Sequence, residues 1–198
     1  PRVRFKWQRP LANQYGHSMS ADLFASAVQQ TLGFKYRIPI EDPLHNYVSL
    51  QAGVKAENDN DTNSETMTLA VKRHWGSDDQ EQWKKIAFIR YELEQFRQGI
   101  EPKESTQLLI PGMTLSRHRM RGGLDISWGD YQEYTLEGAS ESLLSDIDVV
   151  RLNIQQKWLR SVDEHRFFVR AEVGAIFTNS FEEVPPSLRY FAGGDQSV

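Results

Sequence analysis

Apolar and polar residues alternate with a period of two along most of this chain. Between Arg166 and Phe177, apolar side chains fill every odd position from Phe167 onward. The even positions of the same stretch include Arg170 and Glu172. Because successive side chains of a β-strand point to opposite faces, this pattern predicts a strand with one apolar and one polar face. Helical spacing is not sustained anywhere in the chain.

The same alternation recurs and predicts ten strands of an all-β, antiparallel fold. Most have about ten residues or more, enough for a tilted strand to cross a bilayer, whereas strands of globular proteins average about five to six. The seventh predicted strand is less regular, because Leu108 and Ile110 fall on one face and Leu109 on the other. Polar turn residues mark the connections, and 57–65 is predicted to be a solvated loop. The predicted strands cover residues 2–10, 17–27, 30–39, 46–56, 66–75, 83–96, 106–117, 131–139, 147–160 and 165–177.

Two architectures accommodate this pattern. In a soluble β-sandwich, the apolar faces form a shared core and the polar faces meet water. In a transmembrane β-barrel, the apolar face meets lipid and the polar face lines a water-filled lumen. Alternation by itself fits both architectures.

The positions of the tryptophans favour the barrel. In an up-and-down sheet all odd-numbered connections lie at one end, and all five tryptophans lie in or beside such connections. Indole rings favour the membrane interface, where the ring is buried and the N–H stays hydrated. A sandwich core gives no reason for them to collect at one edge. The predicted aromatic belt, which shares the phase of the apolar face, consists of Trp7, Trp75, Trp83 and Trp158.

The polar faces of the predicted strands carry charges of both signs, which would be costly in a dry core. A hydrated lumen accommodates them without a partner for each. The positions assigned to the lumen include Arg37, Lys55, Arg90, Glu92, Arg151, Arg170 and Glu172. A basic cluster at the tryptophan-bearing end is either a solvated turn or a contact for lipid headgroups. That cluster consists of Arg117, His118, Arg119 and Arg121.

Composition is compatible with a membrane barrel and excludes several other classes of protein. The mean hydropathy of the 198 residues is −0.58, and no apolar run approaches the ~20 residues of a spanning helix. A barrel faces lipid with only every second residue, so an ordinary hydropathy is expected for it. The 27 acidic and 23 basic residues give a net charge of −4, which provides no bulk attraction to nucleic acid. Cysteine is absent, so disulfides and thiolate metal sites are excluded.

The chain contains no recognisable catalytic constellation. Its five histidines form no ligand pair at helical or strand spacing, so a metal site is not expected. Nucleophile-elbow, phosphate-loop and dinucleotide motifs are absent. We therefore expect a protein that is not an enzyme and that uses no cofactor.

The final segment carries the most specific signal. Residues 181–198 read FEEVPPSLRYFAGGDQSV, and they cannot form a spanning strand, because Pro185 and Pro186 remove two backbone donors. Gly193 and Gly194 free the backbone for a sharp turn. The stretch VPPSLRYFAGGDQSV closely resembles the long extracellular loop of the BamA/TamA superfamily of outer-membrane insertases.

Other segments carry the same resemblance. PRVRFKWQRP, followed by Gly16-His17-Ser18, resembles the second barrel strand of that family and the turn after it. RGGLDISWGDYQEY, residues 121–134, resembles the middle of the barrel. The resemblance covers the whole chain and is closest to the TamA branch, the outer-membrane subunit of the translocation and assembly module. The matching loop residues are Arg189, Phe191, Gly193, Gly194, Asp195 and Gln196.

The resemblance implies a barrel of about sixteen strands, of which residues 1–180 supply about ten. Residues 181–198 would then begin a long extracellular loop that enters the lumen. The resemblance further implies a bacterial outer-membrane protein that assists insertion of autotransporters and other β-barrel proteins. Its implied partners are the lipid bilayer, the client barrels and a TamB-like protein anchored in the inner membrane. In that loop, Asp195 would meet a lumen cation, for which the candidates are Arg37, Lys55, Arg151 and Arg170.

Several alternatives remain open at this stage. Within the superfamily, a two-partner secretion pore or a BamA-type insertase has the same barrel. An outer-membrane enzyme barrel would need a Ser/His pair on the lipid face near a rim, and the sequence offers none. A soluble β-sandwich binding module would fractionate without detergent.

Overall fold

The computed structural model describes residues 2–40, 42–59, 62–79, 82–98, 104–123 and 125–190. These residues form ten antiparallel β-strands in a single sheet, which confirms the prediction of an all-β, antiparallel fold. The strands are β1 (Arg2–Arg9), β2 (Ser18–Ser26), β3 (Gln29–Pro39), β4 (Tyr47–Asp59), β5 (Thr62–Trp75), β6 (Lys84–Gln98), β7 (Glu104–Arg121), β8 (Trp128–Ala139), β9 (Val149–Val162) and β10 (His165–Thr178). The described residues also form two 3-10 helices, Glu141–Leu143 and Pro186–Leu188. Within this described part, no helix has the length and apolar character needed to span a membrane.

Each strand pairs with its neighbours in the chain, so the sheet runs in order from β1 to β10. The sheet has β1 and β10 as its two edges. In such a meander the odd-numbered connections lie at one end, here called the odd end, and the even-numbered ones at the opposite, even end. The register pairs apolar residues with apolar residues and polar residues with polar ones. Val173 is paired with Ile154 on one face of the sheet, and Glu172 is paired with Gln155 on the other.

Several strands extend further than their apolar pattern suggested. Strands β4 and β5 continue until Asp59 faces Thr62, so the prediction of a solvated loop over 57–65 is wrong. Strand β7 continues to Arg121, which places the basic cluster in a strand rather than in a turn. Strand β8 begins at Trp128. Backbone pairing satisfies N–H and C=O groups whatever the side chains are, so a hairpin can continue past its apolar residues.

The two faces of the sheet differ in chemistry and in exposure. On one, the apolar face, Phe167 is 59% exposed and Val173 is 61% exposed. On the other, the charged face, the carboxylates Glu94 and Glu137 are only 2% and 5% exposed. This distribution is the reverse of that in a soluble domain, where charged groups are rarely buried and apolar ones usually are.

The small buried core lies on the charged face, towards the even end. Strands β7, β8 and β9, the connection between β8 and β9, and the segment after β10 all contribute to it. Its members are Leu108, Ile110, Ala139, Ile147, Val149, Val184 and Leu188. The core therefore holds the end of the described chain against the sheet.

Candidate functional site

After β10 the chain turns back over the charged face as a segment that we call the crossing segment, residues 181–190. Val184 and Leu188 are almost fully buried in it, and both pack in the core with Leu108 and Ile110 of β7. This contact explains the irregular pattern of β7. Its two apolar side chains on the charged face are covered by the crossing segment instead of water.

The crossing segment reaches across the sheet to β6. The hydroxyl of Ser187 donates a hydrogen bond to Oε2 of Glu94 at 2.5 Å. The other oxygen of this carboxylate, Oε1, is buried and has no hydrogen-bond partner among the described residues. Because a buried carboxylate is costly unless it is hydrogen-bonded, the hydroxyl of Ser187 stabilises Glu94 in this position. One contact thus links the segment after β10 to a strand four positions away in the sheet.

At Tyr190 the crossing segment returns to the last two strands. The hydroxyl of Tyr190 donates to the carbonyl oxygen of Leu152 at 3.0 Å. The guanidinium carbon of Arg151 lies 4.6 Å from the centre of the ring, a distance typical of a cation–π contact. The ring also lies over Gly174, where an added Cβ atom would be 2.6 Å from the nearest ring carbon. Glycine is therefore the residue that leaves room for Tyr190.

Arg189 holds the crossing segment in its own shape. Its Nε donates to the carbonyl oxygen of Val184, and its Nη2 donates to that of Glu182, each at 2.7 Å. The guanidinium also lies 5.4 Å from the ring centre of Phe181. Arg189 thus closes the segment into a compact turn. The other residues of the predicted loop motif lie outside the described residues, as does the predicted pairing of Asp195 with a cation; they are Phe191, Gly193, Gly194, Asp195 and Gln196.

The connection between β8 and β9 completes the site at the even end. Strand β8 pairs with β7 from Gly112 onward, so the preceding part of β7 needs other partners on that side. The side chain of Asp146 accepts the N–H of Gln107 at 2.7 Å, and that of Ser145 accepts the N–H of Leu109 at 2.9 Å. These bonds satisfy backbone donors that would otherwise be unpaired at a covered position.

Charged side chains beside the core form a connected network. Nη1 of Arg151 lies 2.6 Å from one oxygen of Glu137, and Nη2 of Arg90 lies 3.3 Å from the other. Nε of Arg90 lies 2.9 Å from Glu92. Three of the residues assigned to the lumen are therefore joined through Glu137. Alternation placed them on one face but gave no indication of this pairing, which depends on the register of β6 to β9.

All seven positions assigned to the lumen lie on the charged face of the sheet. The four that are not in this network make contacts within their own strand or with the adjacent strand. These contacts are Arg170 with Glu172 (3.1 Å), Lys55 with Glu57 (2.5 Å) and Arg37 with the ring centre of Tyr47 (4.4 Å). The sequence pattern thus placed these seven residues on one face, whereas the contacts of each residue depend on the register; that this face lines a lumen stays a prediction.

The belt tryptophans lie at the odd end, on the apolar face. Trp75 ends β5, and Trp83 lies 5.9 Å, between ring centres, from Tyr134 of that face. Trp158 faces both Asp130 and Val169 across its two strand pairs. Trp7 and the fifth tryptophan, Trp128, occupy the same end and face. Their contact with a membrane interface remains a prediction.

A histidine links two turns at the odd end. Nδ1 of His45 lies 2.5 Å from Asp42, and Nε2 lies 3.0 Å from Asp78. The hydrogen bond from His45, followed by one from the N–H of Leu44, lowers the pKa of Asp42 below its ordinary value. The turn after β3 is therefore stabilised by an ionised carboxylate.

In the part of the chain that the structure describes, no group of three or more His, Cys, Asp or Glu side chains could hold a metal ion. The chain matches no known protein-family model. The described residues of this site hold the crossing segment against the charged face. They do so through the apolar contacts of Val184 and Leu188, the hydrogen bond from Ser187 to the buried Glu94, and the packing of the Tyr190 ring on Gly174.

Proposed function

We propose that this chain forms part of a transmembrane β-barrel of the bacterial outer membrane, with the apolar face against lipid and the charged face towards the lumen. The observation that carries this proposal is the reversed burial of the two faces. Phe167 and Val173 are exposed while Glu94 and Glu137 are buried. Hydrocarbon would provide the missing cover for the apolar face.

Strand length supports the same proposal. A tilted strand needs about 9–11 residues to cross the hydrocarbon core. Every strand from β3 to β10 has at least 11 residues. The position of all five tryptophans at one end agrees with an aromatic belt at one interface.

The barrel is proposed to assist insertion or secretion of autotransporters and other β-barrel proteins, as in the TamA branch of the BamA/TamA superfamily. Two observations support this function. The loop sequence resembles that family, and the crossing segment lies on the charged face, where the family's loop is expected. A TamB-like inner-membrane-anchored protein and unfolded client barrels are the proposed partners.

The test is reconstitution of the full-length protein into lipid vesicles. An unfolded client barrel is added, and its assembly is followed by heat-modifiable mobility on gels. We expect faster client assembly than in vesicles without the protein. Replacing Tyr190 with alanine should reduce the rate while the host barrel stays folded, because the crossing segment loses its contacts with Gly174 and Leu152.

The same assay contains the outcomes that would contradict the proposal. Equal client assembly with and without the protein would refute the insertase function. Transfer of the client into the vesicle interior, seen as protection from added protease, would indicate a secretion pore instead. Recovery of the protein without detergent in a soluble fraction would refute the membrane barrel itself.

A further inference from the structure

The arginines at the end of β7 do not face the same way as the residues assigned to the lumen. Arg117, Arg119 and Arg121 continue the apolar face of β7, on which Met113 and Leu115 precede them at steps of two. His118 points to the charged face between them. In the sequence, His118 belongs to the same basic cluster as the arginines, but in the strand its side chain lies on the opposite face from theirs.

These arginines are gathered on indole rings. The guanidinium carbons of Arg119, Arg121 and Arg160 lie 5.2, 4.9 and 4.6 Å from the ring centre of Trp128. That of Arg117 lies 4.6 Å from the ring centre of Trp83. Three cations therefore surround a single indole. Some of the N–H donors of these arginines are engaged within the protein: Arg119 donates from Nε and Nη2 to Asp130, and Arg160 donates from Nη1 to the carbonyl oxygens of Gly129 and Leu159. A stacked guanidinium is held in a fixed orientation and has five N–H donors, so it can make such bonds and still donate to a further acceptor.

Positive charge is in clear excess on this part of the apolar face. Asp130 is buried and forms an ion pair with Arg119, with 2.5 Å between Oδ2 and Nη2. Among the described residues of β5 to β9 at the odd end of this face, it is the one carboxylate. The cations there are Arg73, Lys85, Arg117, Arg119, Arg121 and Arg160. Within the strands, cations at this end of the face therefore outnumber carboxylates by six to one. The other described acidic residues of the same end lie in the connections; they are Asp78, Asp79, Asp125, Asp163 and Glu164.

We propose that this surface, the arginine–tryptophan patch of Arg117, Arg119, Arg121, Arg160 and Trp128, binds the phosphate of an anionic membrane phospholipid. The inference rests on the proposed membrane barrel. Tryptophan marks the depth of the headgroups. Arginine matches phosphate because its planar fork can donate two parallel hydrogen bonds. Long side chains on the lipid-facing surface can extend their charged ends to the headgroups.

The occupant is a lipid because the patch is continuous with the face that would meet acyl chains. An acyl chain would lie along Met113 and Leu115 while its phosphate meets the guanidiniums at the end of the strand. A phospholipid fits both parts of this surface, because its apolar acyl chain and its anionic phosphate belong to one molecule. A binding site for a soluble anion would not need that continuity.

The test uses Trp128 as the reporter in the full-length protein, with Trp7, Trp75, Trp83 and Trp158 changed to phenylalanine. The protein is placed in mixed vesicles of phosphatidylcholine and phosphatidylglycerol, in which one lipid at a time carries brominated acyl chains. Stronger quenching by brominated phosphatidylglycerol measures the preference for the anionic lipid. Each arginine that contacts the phosphate should raise the preference for phosphatidylglycerol over phosphatidylcholine about fivefold.

The decisive variant combines Arg121→Gln with Arg160→Gln, and its matched control combines Lys157→Gln with Arg166→Gln. The control removes the same charge from neighbouring positions on the charged face. The preference should fall by about fivefold for each arginine removed in the first variant, and it should persist in the control. Equal loss in both would show a response to bulk charge and would overturn the proposed site.

Two further outcomes separate this inference from the membrane barrel. Quenching that is equal for both lipids in the reporter protein would overturn the phospholipid site while leaving the barrel intact. No quenching by either lipid would overturn both proposals. Retention of phosphatidylglycerol through detergent washing, measured by mass spectrometry on the protein with all five tryptophans, checks that the reporter substitutions have not created or destroyed the preference.

Discussion

Tyr190 and Gly174 are complementary in shape, since the tyrosine ring occupies the volume that any side chain on residue 174 would fill. A Cβ atom there would approach the ring to 2.6 Å, well inside normal contact. The hydroxyl of Tyr190 donates a hydrogen bond to the carbonyl oxygen of Leu152, and its ring lies beside Arg151. The pair therefore fixes where the crossing segment returns to β9 and β10.

Gly174→Ala should displace Tyr190 and loosen the crossing segment. Overpacking of this kind costs about 1–3 kcal/mol, and the segment should relieve it by lifting from the sheet. We expect trypsin to cleave after Arg189 at least about fivefold faster than in the unmodified protein. Gly53→Ala is the control, because an added Cβ there meets its nearest neighbour at an ordinary 3.5 Å. Equal cleavage of both variants would show that Tyr190 does not hold the segment.

The contact between Ser187 and Glu94 should contribute to seating of the same segment. Ser187→Ala would leave a buried carboxylate without its donor, at a cost of about 1–3 kcal/mol. A double-mutant cycle with Glu94→Ala, which removes the accepting oxygen, should give a coupling of similar size, measured from rates of proteolysis. Ser142→Ala removes an exposed hydroxyl near the same end and should have no effect. Simple additivity in the cycle would contradict a direct interaction.

The assignment of the two faces makes a further prediction about stability in vesicles. Val173→Arg should destabilise the complete barrel by about 2–4 kcal/mol, because Val173 would lie in hydrocarbon. Arg170→Val should cost much less, since Arg170 pairs with Glu172 in a half-exposed position. Urea-induced unfolding in phosphatidylcholine vesicles measures both. A tolerated arginine at 173 together with a damaging change at 170 would mean that the faces are inverted.

The turn after β3 should show a pH response set by Asp42. Its folded-state pKa lies below 3.8, the ordinary value, because it accepts hydrogen bonds from His45 and Leu44. The ionised carboxylate therefore stabilises the turn above about pH 3.8, and that stabilisation is lost as the pH falls through the lower folded-state pKa. In NMR spectra, the amide signal of Leu44 should titrate with a midpoint below 3.8.

His45→Gln supplies the matching test of the cause. Removal of the largest contribution should move the midpoint of the Leu44 titration up towards 3.8. An unchanged midpoint would show that the backbone N–H groups of Leu44 and His45, and not the side chain of His45, account for the lowered pKa of Asp42.

The alternating pattern was sufficient to predict ten strands, the face on which each of their side chains lies, and the end of the sheet at which the tryptophans collect. This is because side chains of a strand point alternately to its two faces, so facing is a local property of the sequence. It failed at strand ends such as Asp59 and Thr62, where polar residues continue the pairing. There the backbone ladder, rather than the side chains, determines the length.

The sequence by itself thus determined which residues share a face, as for Arg90, Glu92 and Arg151. Only the tertiary structure decided that Glu137 joins them, that Ser187 meets Glu94, and that three arginines share the indole of Trp128. Each of these contacts depends on the register of strands or on the path of the segment after β10. Register and path are set by contacts between residues that are distant in the chain, and alternation along a single strand carries no information about them.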